Sequence, residues 1–104
     1  MEIIELARTS VQLITKDFQL EDSFQIEEKD PMGELKNELE KIVKHLMDHN
    51  FNQLLNALYR IDVSEEKVNA ILETSPPDDV ASSLAEAILE RELIKAEYRL
   101  KYRP

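Results

Sequence analysis

The 104-residue chain contains no cysteine and only one glycine, Gly33. Without cysteine it can form no disulfide, no thiolate metal site and no thiol nucleophile. Phosphate-binding loops and dinucleotide fingerprints need several glycines at fixed offsets, so a single glycine excludes both motifs. The scarcity of glycine and proline also argues against an all-β fold with many tight turns. Because the first residues are acidic rather than basic, we expect no export signal and a cytoplasmic location.

Long apolar runs and an excess of basic residues are also missing. No uninterrupted apolar segment approaches the roughly 18 residues that a membrane span requires, so we expect no membrane contact. The chain has 13 basic against 22 acidic side chains, and its net charge of −9 opposes binding to nucleic acid. With 42% hydrophobic and 34% charged residues, the composition is that of a single globular domain covering residues 1–104.

The charges that are present are unevenly distributed. Residues 17–40 carry nine acidic and two basic side chains, whereas residues 91–104 carry five basic and two acidic ones. We expect residues 19–30 to form an acidic surface loop, and its order or flexibility is left open. Residues 90–104 should form the basic end of a helix, which could project from the domain.

Hydrophobic residues recur at helical spacing through most of the chain, which predicts an all-α, up-and-down bundle of four or five helices with a long C-terminal helix. The first stripe is Ile3, Ala7, Val11, Ile14 and Phe18, although a strand is a weaker alternative for this segment. In the predicted third helix the stripe consists of Phe51, Leu54, Leu55, Leu58 and Tyr59. The predicted helices cover approximately residues 2–18, 31–48, 51–59, 65–73 and 78–101.

Polar residues mark the expected helix starts. Asp30 precedes Pro31, and Ser64 precedes two glutamates, so each has the character of an N-cap. Asn50 is followed three residues later by Gln53, which fits a capping box and favours a break there. Since neither proline nor glycine separates the second and third segments, one long helix over 31–59 remains an alternative.

The final helix carries the most informative pattern. Its first half has one apolar face, but beyond residue 90 that side becomes a basic row of Arg91, Lys95 and Arg99. A second apolar stripe lies about a third of a turn away and has coiled-coil spacing, formed by Leu89, Leu93, Ala96 and Leu100. A helix packed on one core should keep one face. The second half should therefore contact either the N-terminal helix of the same chain or a second copy, and we predict that these seven residues form a homodimer interface.

The two histidines are the only candidates for metal chemistry. His45 and His49 are four residues apart and would share a helix face, as in a two-histidine metal clamp. Zinc proteases place glutamate directly after the first histidine, where this chain has Leu46. We therefore expect two surface histidines and predict no catalytic, cofactor-binding or metal-binding residue.

The sequence consequently favours a non-enzymatic module for protein–protein interaction, which associates with itself or with another protein. The alternative is a helical bundle that binds a small ligand or a metal, or an enzyme built on that bundle, using His45 and His49.

Overall fold

The computed structural model describes residues 2–102 of the chain. Helices account for 79% of the structure, and residues 2–102 contain no strand. This confirms the predicted all-α bundle with a long C-terminal helix. No helix in this range is both long and apolar enough to cross a membrane. The α-helices are α1 (Ile3–Asp17), α2 (Pro31–His49), α3 (Phe51–Ile61), α4 (Glu65–Thr74) and α5 (Val80–Lys101), and a 3-10 turn, Pro77–Asp79, precedes α5.

Side-chain caps start three of the helices where the sequence predicts them. The carboxylate of Asp30 accepts a hydrogen bond from the amide of Gly33, and the Ser64 hydroxyl accepts one from the amide of Lys67. Asn50 accepts a hydrogen bond from the amide of Gln53 at 3.2 Å and has a non-helical backbone, with φ −156° and ψ 76°. Each cap satisfies an amide that has no partner within its helix. The predicted break between α2 and α3 is therefore confirmed.

Two helices end with a left-handed residue that is not glycine. Gln19 has φ 54° after α1, and Asp62 has φ 68° after α3. At the end of α1, the amide of Leu20 donates to Thr15 and the amide of Gln19 donates to Lys16. At the end of α3, the amide of Val63 likewise donates to Leu58 and the amide of Asp62 donates to Tyr59. This hydrogen-bond pattern normally has glycine at the left-handed position, so both ends are closed at a conformational cost.

Helix α5 is the central element of the bundle, since it contacts all four other α-helices. It runs antiparallel to α2, because Lys36 pairs with Glu86 at 3.9 Å while Met47 and Ala81 line one cleft at the other end. It is also antiparallel to α1. The core between these helices is apolar and includes Ala7, Val11, Ile14, Phe18, Leu35, Leu39, Val43, Leu54, Ile61, Leu84 and Ile88.

The predicted stripes of α1 and α3 require correction. Ile3 is exposed, and α3 buries Leu54 and Leu58 but leaves Tyr59 88% exposed and both Leu55 and Phe51 41% exposed. The inner face of α3 is completed instead by Ala57 and Ile61. Helical spacing identified the side of α3 that is apolar. It overestimated the width of the buried face, because the bundle covers α3 from one side only.

The segment between α1 and α2 has no regular secondary structure. Its apolar side chains Leu20, Phe24 and Ile26 are partly buried against the core, while its acidic residues face solvent. Glu28 pairs with Arg8 of α1 at 3.1 Å, and the amide of Glu27 donates to the carboxylate of Glu34. The acidic segment is thus attached to both neighbouring helices.

Candidate functional site

The predicted apolar seam of α5 is partly covered by the chain's own α1. Ala96 is completely buried, whereas Leu89, Leu93 and Leu100 are partly buried. Leu100 lies in a shallow cleft together with Ile4 of α1. The second half of α5 thus packs on the N-terminal helix of the same chain, which is one of the two arrangements that the stripe predicts. Ala96 has no surface to offer a second copy.

Two members of the basic row are engaged within the chain. Nε of Arg91 donates to the carbonyl of Ile61 at 3.5 Å, and its guanidinium lies 3.9 Å from the carboxylate of Asp62. Lys95 is bound to acids of the core, as described below. Arg99 is exposed and lines the same cleft as Leu100. The predicted contact with a second copy therefore remains a prediction for Leu89, Leu93, Leu100 and Arg99.

A different row of α5 is the one that faces solvent. Ile94, Tyr98 and Tyr102 follow each other at steps of four residues and are 50%, 67% and 61% exposed. The two tyrosine rings lie 4.5 Å apart between centroids, and Nζ of Lys101 lies 5.5 Å from the centre of the Tyr102 ring. We call these three residues the aromatic strip. Their four-residue spacing is visible in the sequence, but the leucine seam beside them has the stronger coiled-coil spacing.

A groove between α3 and α4 is the second exposed apolar surface. Leu58, Val63 and Val68 are buried in its lining, and Leu55 and Leu72 are half exposed. The remaining lining residues are Tyr59, Asp62, Ser64, Glu65 and Asn69, and the groove encloses about 640 Å³. Among these ten residues are two carboxylates and no basic side chain. We call this surface the α3–α4 groove.

A buried acidic cluster joins α5 to the end of α1. Glu92 has no exposed surface, and Asp17 is almost completely buried. Nζ of Lys95 lies 2.6 Å from Oδ2 of Asp17, as a hydrogen bond, and 3.3 Å from Oε1 of Glu92. The contact to Glu92 is close enough for an ion pair but lacks hydrogen-bond geometry, so both oxygens of Glu92 are without a hydrogen bond. Ionised, such a carboxyl is costly to bury.

The surroundings favour a protonated Glu92. Burial is the main reason that its pKa rises to about 8, and the neighbouring Asp17 carboxylate adds to the rise, because it would accept a hydrogen bond from the protonated carboxyl and repels the negative charge of the ionised one. Lys95 acts in the opposite direction but does not compensate. For Lys95 itself, burial would lower the pKa, yet the hydrogen bond to Asp17 and the two nearby carboxyls outweigh burial, so the pKa is raised.

Glu92 is not among the predicted site residues, although the sequence pattern contains a signal for it. Leu84, Ile88, Glu92 and Ala96 follow each other at steps of four, so Glu92 continues the core stripe. The apolar face therefore does not simply change direction near residue 90. It continues with a single acidic member, Glu92.

The two histidines lie close together near the end of α2. The ring centroids of His45 and His49 are 4.5 Å apart, and both side chains are exposed. Among residues 2–102, no group of three or more histidine, aspartate or glutamate side chains is placed to hold a metal ion. The pair therefore has no third ligand in the described part of the chain.

No family model matches this chain, and neither the curated proteins nor the solved structures contain a match to it.

Proposed function

We propose that the chain is a non-enzymatic protein-interaction module that associates with a second copy through the outer half of α5. The observation that carries this proposal is the aromatic strip, in which Ile94, Tyr98 and Tyr102 are all at least half exposed along one line of the helix. Isolated exposed apolar residues are common on protein surfaces, but contiguous ones mark interaction sites.

The chemistry of the strip suits a protein interface. Tyrosine is enriched at interfaces, because its ring offers a large rigid apolar area while its hydroxyl can remain hydrated. The mutual contact of Tyr98 and Tyr102 restricts both rings before binding, which lowers the entropic cost of association. The partly exposed Leu93 and Leu100 can widen the contact.

The remaining surfaces support an interaction role more than catalysis. Glu92 has the raised pKa that a general acid would need, but it is fully buried, so no substrate reaches it while the bundle is closed. The net charge of −9 makes a protein a better partner than nucleic acid. The proposal includes action in the cytoplasm, for which a cysteine-free chain is suited.

Sedimentation velocity on the wild-type chain tests the proposal. We expect a dimer at tens of micromolar, and a shift towards monomer for Tyr98→Glu and Leu93→Glu. Asn37→Glu places the same charge at an exposed position of α2 and should leave the dimer intact. A wild-type chain that sediments as a monomer in this range would refute self-association, as would equal behaviour of Tyr98→Glu and Asn37→Glu.

A further inference from the structure

We propose that the aromatic strip of one copy lies in the α3–α4 groove of the second copy, so that each copy supplies both a strip and a groove. This inference rests on the proposed self-association and specifies its geometry. The strip and the groove are two surfaces on which large apolar side chains of residues 2–102 are exposed close together.

The two surfaces are complementary in charge. The lining of the groove contains two carboxylates and no basic side chain; Glu65 is one of them, and the other, Asp62, also lies 3.9 Å from Arg91 of its own chain. The strip is flanked by two exposed cations, Arg99 and Lys101, and by one exposed carboxylate, Glu97, so positive charge outweighs negative charge along its sides. Two identical strips facing each other would bring these like charges together. A strip in a groove brings opposite charges together instead, which lowers the electrostatic cost of association.

The shapes of the two surfaces also favour this pairing. The strip is a convex row on one helix, with its three side chains at steps of four. The groove is a concavity between two helices, with half-exposed Leu55 and Leu72 and a buried lining of Leu58, Val63 and Val68. An amphipathic helix that inserts spaced apolar residues into a groove between helices is a recurrent mode of recognition.

The interface area favours a reciprocal arrangement. Stable interfaces bury about 1,200–2,000 Å² in total, and three side chains in one groove provide only part of this area. In a two-fold dimer each strip enters the partner's groove, so the same contact occurs twice and the buried area doubles. A one-way contact would instead leave a free strip and a free groove and would propagate into longer assemblies.

Cross-linking between single-cysteine variants tests this geometry, because the chain has no cysteine of its own. Glu97→Cys places a thiol beside the strip, and Asn69→Cys places one in the groove, while every apolar contact residue stays unchanged. The two variants are mixed and treated with a short bis-maleimide. We expect mixed cross-links at least about tenfold faster than cross-links of Glu97→Cys to itself, owing to proximity in the dimer. Asn37→Cys mixed with Asn69→Cys is the control for random collision.

The outcomes separate this inference from the proposed function. A wild-type chain that sediments as a monomer refutes both. A dimer in which Glu97→Cys cross-links to itself faster than to Asn69→Cys keeps self-association but overturns the strip-in-groove geometry, and so does a dimer without preferential cross-linking. A second result is required for support: Leu72→Glu should dissociate the dimer as Tyr98→Glu does, with circular dichroism unchanged. A dimeric Leu72→Glu variant would overturn the inference.

Discussion

Nζ of Lys95 lies 2.6 Å from the carboxylate of Asp17, which makes one ammonium group the link between the end of α1 and the middle of α5. The buried cluster has three titratable side chains, Asp17, Glu92 and Lys95, and Lys95 supplies its only positive charge. With Glu92 protonated, the cluster contains one negative and one positive charge. Ionisation of Glu92 would add a second negative charge that Lys95 alone does not balance.

Replacing Glu92 with glutamine should therefore change how stability depends on pH. In the folded chain the pKa of Glu92 is about 8, compared with an ordinary value of 4.5. Below the ordinary pKa, both folded and unfolded chains keep the proton. Between the two values only the unfolded chain loses it, so the wild type loses stability as the pH rises towards 8. At pH 9, Glu92→Gln should raise the free energy of unfolding by roughly 2–4 kcal/mol relative to the wild type.

Urea denaturation at pH 5, 7 and 9 measures this effect. Glu97→Gln makes the same change at an exposed position of α5 and should leave the pH dependence of the wild type unaltered. If the curves of Glu92→Gln and the wild type run parallel from pH 5 to pH 9, the buried carboxyl is not the source of the pH dependence.

Removal of the central cation should be costly. Lys95→Met removes the cation that pairs with Asp17 and lies beside Glu92, and breaking a buried pair in this way typically destabilises by about 3–5 kcal/mol. The double variant Lys95→Met/Asp17→Asn should regain at least about 1 kcal/mol of unfolding free energy relative to Lys95→Met, because it also removes the carboxylate that has lost its cation. Lys67→Met breaks the exposed pair with Glu90 and should cost about 0–1 kcal/mol. Equal losses for Lys95→Met and Lys67→Met in guanidinium denaturation would contradict a special role of the cluster.

The left-handed end of α1 offers a route to higher stability. Gln19 has φ 54°, which glycine adopts without the strain that a Cβ atom imposes. Gln19→Gly should raise the free energy of unfolding by about 0.5–1 kcal/mol, after the larger backbone entropy of glycine in the unfolded chain is deducted. Gln25→Gly is the matched control, because Gln25 is also exposed in the same segment and has no left-handed backbone. Thermal denaturation should show the two variants shifting in opposite directions, and a common shift would refute the explanation.

The break between α2 and α3 depends on Asn50. Its side chain accepts a hydrogen bond from the backbone amide of Gln53. The side-chain Nε2 of Gln53 in turn donates to the carbonyl of Phe18 at 2.7 Å, which links α3 to the end of α1. Asn50→Ala should reduce the free energy of unfolding by about 1 kcal/mol, as is usual for loss of an N-cap. Asn52→Ala, two residues further on and exposed, should change it by less than about 0.5 kcal/mol. Chemical denaturation that ranks Asn52→Ala as the more harmful change would rule out this role of the cap.

Local signals were sufficient to predict where three of the helices begin. Asp30, Asn50 and Ser64 act through bonds to amides three residues away, so their role is readable without knowledge of the fold. The width of each buried face is set by the neighbouring helices. The sequence alone therefore did not show that Leu55 and Tyr59 face solvent.

The candidate surfaces show the same limit more clearly. Helical spacing groups Ile94, Tyr98 and Tyr102 on one row of α5 just as it groups the leucines on the row beside it. Only the position of α1 decides which of the two rows is covered. The cluster around Lys95 joins residues 78 positions apart. No spacing rule along the chain could have paired Lys95 with Asp17, although the step of four from Ile88 to Glu92 did place that carboxyl on the core face.

The position of α5 in both the bundle and the chain has a consequence for biosynthesis. All other helices contact α5, yet it is the last of the five to leave the ribosome. While it is being synthesised, the inner faces of α1 and α2 have only each other and α3 to cover them, and the carboxylate of Asp17 has no Lys95. The bundle should therefore close late, in a single step once α5 emerges, and ribosome-bound chains that stop before Ile88 should be sensitive to proteases along their whole length.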